Sequence, residues 1–188
     1  QLAKYAPAVE DLSAALGGQL PAPLRADALY VLGLCQIGLE QNAEAAKTLS
    51  GLLSESPGYA GADNARYQLA WALLLADRRK EAVEQFARLV KDSPQSPLAA
   101  EAQHHIGEYF YDQKEYDKAA VAYYDAMKAA GQTPLGEKAA HKLAWSYYHS
   151  KEFPSAQQAF EYQAEAFPSG PLKADALLMI AESLYQQK

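Results

Sequence analysis

Apolar positions recur along this chain with two periods at once. Over short stretches they fall at helical spacing, as in Ala65, Leu69, Ala72 and Leu73, and again in Ala82, Val83, Phe86, Leu89 and Val90. Over longer stretches the pattern returns every 37 residues. One column holds Ala8, Ala45, Ala82, Ala119 and Ala156. Another holds Leu32, Leu69, Ile106, Leu143 and Ile180, followed at the next position by Gly33, Ala70, Gly107, Ala144 and Ala181. A third small column is Ala28, Ala65, Ala102, Ala139 and Ala176, and a large one is Leu12, Leu49, Phe86, Tyr123 and Phe160. No insertion or deletion breaks the register. A fixed period of this length is the mark of a stacked repeat array.

Each repeat reads as two antiparallel helices joined by a short polar turn. The turns are Glu40-Gln41-Asn42, Asp77-Arg78-Arg79, Lys114-Glu115 and Lys151-Glu152. Pro154 suits the first turn of a helix, where its missing N–H costs nothing. Four links between repeats carry Pro-Leu, at Pro23-Leu24, Pro97-Leu98, Pro134-Leu135 and Pro171-Leu172. Proline there is expected to start the next helix, with Ser96 or Thr133 capping it. The link Ser56-Pro57-Gly58-Tyr59-Ala60-Gly61 lacks the pair and is expected to bend differently. Gly17-Gly18 reads as a helix C-cap. The array divides into a second helix at 1–25 (roughly Tyr5 to Leu16), full repeats at 26–62, 63–99, 100–136 and 137–173, and a first helix at 174–188 (roughly Leu172 to Gln186). Neither end carries an evident polar capping helix, so a segment of a longer array is expected. Small residues where helices cross let the axes approach toward the short end of the usual range of about 8–10 Å.

The order of these residues resembles the tetratricopeptide repeat. That family places a large residue and a Gly/Ala pair in the first helix, an alanine and an aromatic in the second, and a closing proline. The matching residues are Leu69-Ala70, Leu73, Ala82, Phe86 and Pro94, then Ile106-Gly107, Phe110, Ala119 and Tyr123 with Gly131 in place of the proline, then Leu143-Ala144, Tyr147, Ala156, Phe160 and Pro168. The family's usual repeat has 34 residues, and the three extra residues in this chain lie in the link. The resemblance implies an all-α, right-handed superhelix, a tetratricopeptide solenoid of about ten antiparallel helices. The links Ser93 to Ala99 and Phe167 to Leu172 are similar to those of bacterial envelope members, the Tol–Pal-associated periplasmic proteins and the repeat lipoprotein of outer-membrane barrel assembly. That narrower likeness implies the bacterial periplasm, with the cytoplasm the alternative.

Composition narrows the chemistry. The net charge is −6, and the densest basic run, Arg78-Arg79-Lys80, lies at a turn. Neutralising phosphates needs clustered Lys and Arg, so a nucleic-acid partner is not expected. No apolar run approaches the roughly 20 residues that span a bilayer, so no direct membrane insertion is expected. The lone Cys35 excludes an internal disulfide and reads as a small buried filler. Four histidines, His104, His105, His141 and His149, all fall on first helices, and His104 and His141 share a column. They lack the spacing of a zinc site, and no cofactor or metal is expected. Glu108 and Glu182 lie two repeats apart, too far to act as paired acids. With no nucleophile–base pair to nominate, the chain is expected not to be an enzyme.

A stripe at i, i+3, i+7 and i+10 of the first helix stays clear of the small columns and varies between repeats. It carries Tyr67, Trp71, His104, Glu108, Tyr111, His141, Trp145 and Tyr148. The resemblance implies that this stripe lines a concave groove, and its aromatic residues suit a peptide or protein surface. The alternative is that these rings pack on neighbouring repeats. Some family members clamp a C-terminal carboxylate with Lys and Asn on this stripe. Lys138 and Lys142 match, but Tyr67, Trp71 and His105 fill the other places, so that clamp is not expected. Three functions stay open: a scaffold that binds a peptide or protein segment, a structural spacer that self-associates through exposed solenoid ends, and an accessory module of a larger enzyme or envelope complex.

Overall fold

The computed structural model describes residues 2–188, with side chains from Tyr5 onward. Those residues form ten α-helices and no strand. In chain order they are α1 (Leu2–Leu16), α2 (Ala22–Gly38), α3 (Asn42–Glu55), α4 (Ala62–Leu75), α5 (Arg79–Asp92), α6 (Ala99–Asp112), α7 (Tyr116–Ala130), α8 (Pro134–His149), α9 (Phe153–Ala166) and α10 (Lys173–Tyr185). They fall into two compact units, one ending at Ser93 and one beginning at Pro94. In each unit every helix packs on the next in sequence. Alternate first helices also touch, α2 with α4 and α6 with α8, so first helices line one wall of each stack.

The columns of the repeat become the core. Ala45, Ala82, Ala119 and Ala156 are wholly buried, as are Leu49, Phe86, Tyr123 and Phe160. Ala8 and Leu12, on α1, are only half-buried because an outermost helix has a neighbour on one side. The same reason leaves Ala181 exposed on α10. Small residues face large ones at the hairpin crossings. A Cβ placed on Gly107 would come within 2.7 Å of the Tyr123 ring, and one on Gly33 within 2.6 Å of the Leu49 side chain. Cys35 is buried in a column that holds small buried residues at Ala72, Ser146 and Ser183 and the larger Tyr109 in the repeat between.

The turns inside the hairpins are all built alike. Glu40, Asp77, Lys114 and Lys151 adopt φ of 60°, 58°, 60° and 64°. At Asp77 its N–H donates to the Leu74 carbonyl (3.0 Å) and the Arg78 N–H donates to the Leu73 carbonyl (2.8 Å). That pair of bonds is the Schellman closure of a helix, which usually uses glycine at the left-handed position. Four non-glycine residues there give a register mark as strict as the alanines.

The links depart from the sequence expectation in three ways. Pro23 and Pro134 do lie in the first turn of a helix, but Pro97-Leu98 and Pro171-Leu172 precede α6 and α10 as turns. Thr133 caps α8, its Oγ1 accepting from the Gly136 N–H at 3.2 Å. Ser96 does not cap α6; its Oγ accepts from the Leu98 N–H at 3.3 Å, which closes a local turn. The link after Ser56 does not bend differently from the others. Tyr59 N–H to Ser56 and Ala62 N–H to Tyr59 repeat the bonds Gly170 N–H to Phe167 and Lys173 N–H to Gly170. The odd link is the one after α7, where Gly131 at φ 58° turns the chain directly into Thr133. Gly17 and Gly18 close α1 through bonds to Ser13, Ala14 and Ala15, without a left-handed φ.

Candidate functional site

Each unit carries variable stripe residues on its own first helices, and the two sets differ. In the first unit, α4 presents Tyr67 and Trp71. The Tyr67 ring meets Phe86 edge-on at 5.5 Å, while Trp71 is 36% exposed. Near its start, on α2, Asp27 accepts from the Tyr59 hydroxyl at 3.2 Å.

In the second unit, six stripe residues fall on α6 and α8 and are held by one another. Glu108 is the first hub. It accepts from the Tyr123 hydroxyl at 2.6 Å and pairs with Lys142 Nζ at 3.1 Å. The same ammonium lies over the Tyr111 ring, 4.9 Å from its centroid. Burial alone would raise the Glu108 carboxyl, but the bonds from Tyr123 and Lys142 outweigh it and hold it below its ordinary range. Burial, with the Glu108 bond, raises the Tyr123 phenol well above its ordinary value. His104 sits on the Tyr123 ring at 5.5 Å, with its Nε2 3.9 Å from Glu108. Burial pushes the imidazoles of His104 and His105 down, and nearby carboxylates only partly oppose it.

Trp145 is the second hub. Its ring stacks on His149 at 5.5 Å and meets Tyr148 and Phe160 edge-on at 5.6 and 6.0 Å. His149 in turn stacks on Tyr116 at 5.2 Å and meets Tyr111 at 5.7 Å, so an aromatic ladder crosses α6, α7 and α8. The Tyr148 hydroxyl donates to Glu182 at 3.2 Å. The indole N–H of Trp145 donates to His141 Nε2 at 3.0 Å. An indole can only donate, so Nε2 must accept and the proton of neutral His141 lies on Nδ1. That proton goes to Gln163 Oε1 at 3.0 Å.

Sequence reasoning expected Tyr67, Trp71, His104, Glu108, Tyr111, His141, Trp145 and Tyr148 on one groove wall; Tyr67 and Trp71 fall on α4 of the first unit, and the other six on α6 and α8 of the second. It did not foresee that Tyr67, His104 and His141 each lean on the large ring of their own hairpin, Phe86, Tyr123 and Phe160. Nor did it find Gln163, Lys142 or Tyr116 as partners. The signal for Gln163 lay in its column, which reads Leu52, Leu89, Ala126, Gln163: a wholly buried amide where the other repeats are apolar. Both His141 nitrogens are engaged, and among the described residues no three His, Cys, Asp or Glu side chains converge as metal ligands. No described helix is long and apolar enough to cross a membrane.

Comparison with known proteins agrees with this architecture. The profile of the tetratricopeptide repeat family matches residues 1–60 and 67–133, more than half of the chain. No curated protein sequence matches. Among solved structures, the C-terminal part of a TPR repeat-containing protein from Cytophaga hutchinsonii is 18% identical with a TM-score of 0.72, over 97% of this chain and 66% of that one. BtubC from P. vanneervenii is 13% identical with a TM-score of 0.68, over 100% and 83%. MamA is 16% identical with a TM-score of 0.66, over 98% and 90%. At these identities the likeness speaks for the fold. With its helical hairpins, its alanine columns and the family profile in agreement, the chain belongs to the tetratricopeptide repeat family, whose fold is typically a non-catalytic scaffold for protein–protein interaction.

Proposed function

We propose that the chain is a non-catalytic scaffold that holds a peptide or protein segment against the first-helix walls of its units. In this reading Tyr67 and Trp71 make the contact in the first unit. His104, Glu108, Tyr111, His141, Trp145 and Tyr148 make it in the second. One observation carries the reading. The large second-helix rings Phe86, Tyr123 and Phe160 are wholly buried, whereas the wall's rings stay partly open and are fixed by stacking and hydrogen bonds. Rings fixed in advance lose little entropy on binding, which is what an aromatic contact surface needs.

The test is display selection of peptides on the purified chain, followed by binding to the Trp71→Ala/Trp145→Ala double variant. The reading expects selected peptides to lose at least tenfold in affinity while far-UV circular dichroism stays unchanged. Undiminished binding by the double variant would end it. A second reading, self-association, is favoured by the exposed Leu177, Leu178, Leu184 and Tyr185 on α10. Sedimentation over a concentration series separates the two. The likeness of the links Ser93 to Ala99 and Phe167 to Leu172 to envelope members supports a place in the bacterial envelope, which fractionation of the source cells tests.

A further inference from the structure

The repeats allow an internal comparison between two histidines of the same column. His104 and His141 both lean on the ring of their own hairpin, at 5.5 and 6.0 Å. Behind His104 the core column holds Ala126, and His104 Nδ1 is buried with no hydrogen-bond partner. Behind His141 the column holds Gln163, which takes the Nδ1 proton. In front, His141 Nε2 accepts from Trp145 at 3.0 Å and also lies 3.4 Å from Asp175 Oδ2. That carboxylate oxygen is shut off from solvent and has no hydrogen-bond partner while the imidazole is neutral. Two groups therefore compete for one nitrogen: an indole that needs it as an acceptor and a carboxylate that needs it as a donor.

We propose that His141 is a proton-operated latch on the Trp145 indole, with Asp175 as the alternative partner. In the neutral state Gln163 and Trp145 hold the ring, and the indole is fixed in the wall. A proton from solvent enters at Nε2, whose lone pair it takes. Nε2–H then opposes the indole N–H, donor to donor, and donates instead to Asp175 Oδ2. The Trp145–His141 bond is exchanged for an imidazolium–carboxylate pair, and the indole loses its one polar anchor. The charges around the imidazole set the balance. Asp175 on α10 favours the proton, and Lys138 and Lys142 on α8 itself oppose it. From α9 the ring meets the uncharged Phe160 and Gln163. From α6 come His104, whose charged form burial disfavours, and Glu108, which Lys142 and Tyr123 engage. That the latch tunes partner binding rests on the function proposed above, since the latched indole is the ordered contact.

The latch itself is read on the free chain by NMR. His149 stacks on Trp145 and would report its own titration, so the background is His149→Gln. The expected result between pH 8 and pH 5 has three parts. His141 starts with its proton on Nδ1 alone. Its Nε2 gains a proton in the same step that moves the Trp145 indole N–H signal. Asp175→Asn moves that midpoint down by about one pH unit or more. His141→Gln should abolish the step. A Trp145 signal that ignores pH, a step that survives His141→Gln, or a midpoint unmoved by Asp175→Asn overturns the latch. Asp175 is half-exposed, so its variant keeps the test available even if the His141 variant folds poorly. If the titration holds while Trp145→Ala leaves peptide binding intact, the partner reading falls and the latch stands.

Discussion

Single residues in this chain carry constraints that show only once the repeats are superposed on one another. Gly107 meets the Tyr123 ring, and that ring is wholly buried and tied to Glu108, so it cannot give way. Gly107→Ala should therefore destabilise the chain by about 1–3 kcal/mol, the usual range for overpacking, read as a fall in the urea midpoint. The turn residues predict the opposite sign. Asp77 holds φ at 58°, a conformation that costs most residues about 1–2 kcal/mol and glycine almost nothing. After the entropy that glycine adds to the unfolded chain, Asp77→Gly should still stabilise by about 0.5–1 kcal/mol. Equal stability would mean that the exposed ion pair of Asp77 with Arg79, at 3.6 Å, offsets the strain. The acid response is fixed by named groups as well. His104 and His105 are pushed below the ordinary histidine value, so below about pH 6.5 the unfolded chain binds more protons than the folded one. Stability is then complete above that pH and lost as pH falls through it. Glu108, held below its usual range, adds stability above about pH 4.3 that is lost as pH drops further. Urea midpoints measured from pH 7.5 to 3 should fall in that order, and a flat profile to pH 5 would contradict the burial of the two imidazoles.

At the scale of helices and links, the sequence was most legible where one small residue type is forced. Alanine recurs at 45, 82, 119 and 156 because any larger side chain would collide at the crossing, and that constraint is visible as letters. The links were less legible because their shape rests on backbone bonds rather than on the Pro-Leu pair. Ser56 to Gly61 follows the same path as Phe167 to Leu172 with Ala60 in place of Pro171. The real departure, at Gly131, follows from a left-handed glycine and a threonine cap. Thr133→Ala should cost about 1 kcal/mol by removing the only side-chain cap seen among the described helices, and Thr133→Ser should restore it. The wall itself was legible as positions but not as a network. Helical spacing can place Trp145 beside His141, yet no spacing rule says that Gln163, from another helix, completes the set.

On the scale of the molecule, two units of stacked hairpins present first-helix walls of unlike character. The first offers Tyr67 and Trp71. The second offers a ladder of rings braced by Glu108, Lys142, His141 and Glu182. The proposed contact lies on these first-helix walls rather than on the outer faces of the second helices. The most direct measurement is an amide and side-chain NMR titration of the labelled chain with a selected peptide. Contact through the wall predicts shifts at Tyr67 and Trp71 and from His104 through Tyr148 on α6 and α8, with Glu84, Arg88, Val121 and Asp125 on the outer faces of α5 and α7 unmoved. Shifts centred on those outer residues, with Trp71 and Trp145 silent, would contradict it.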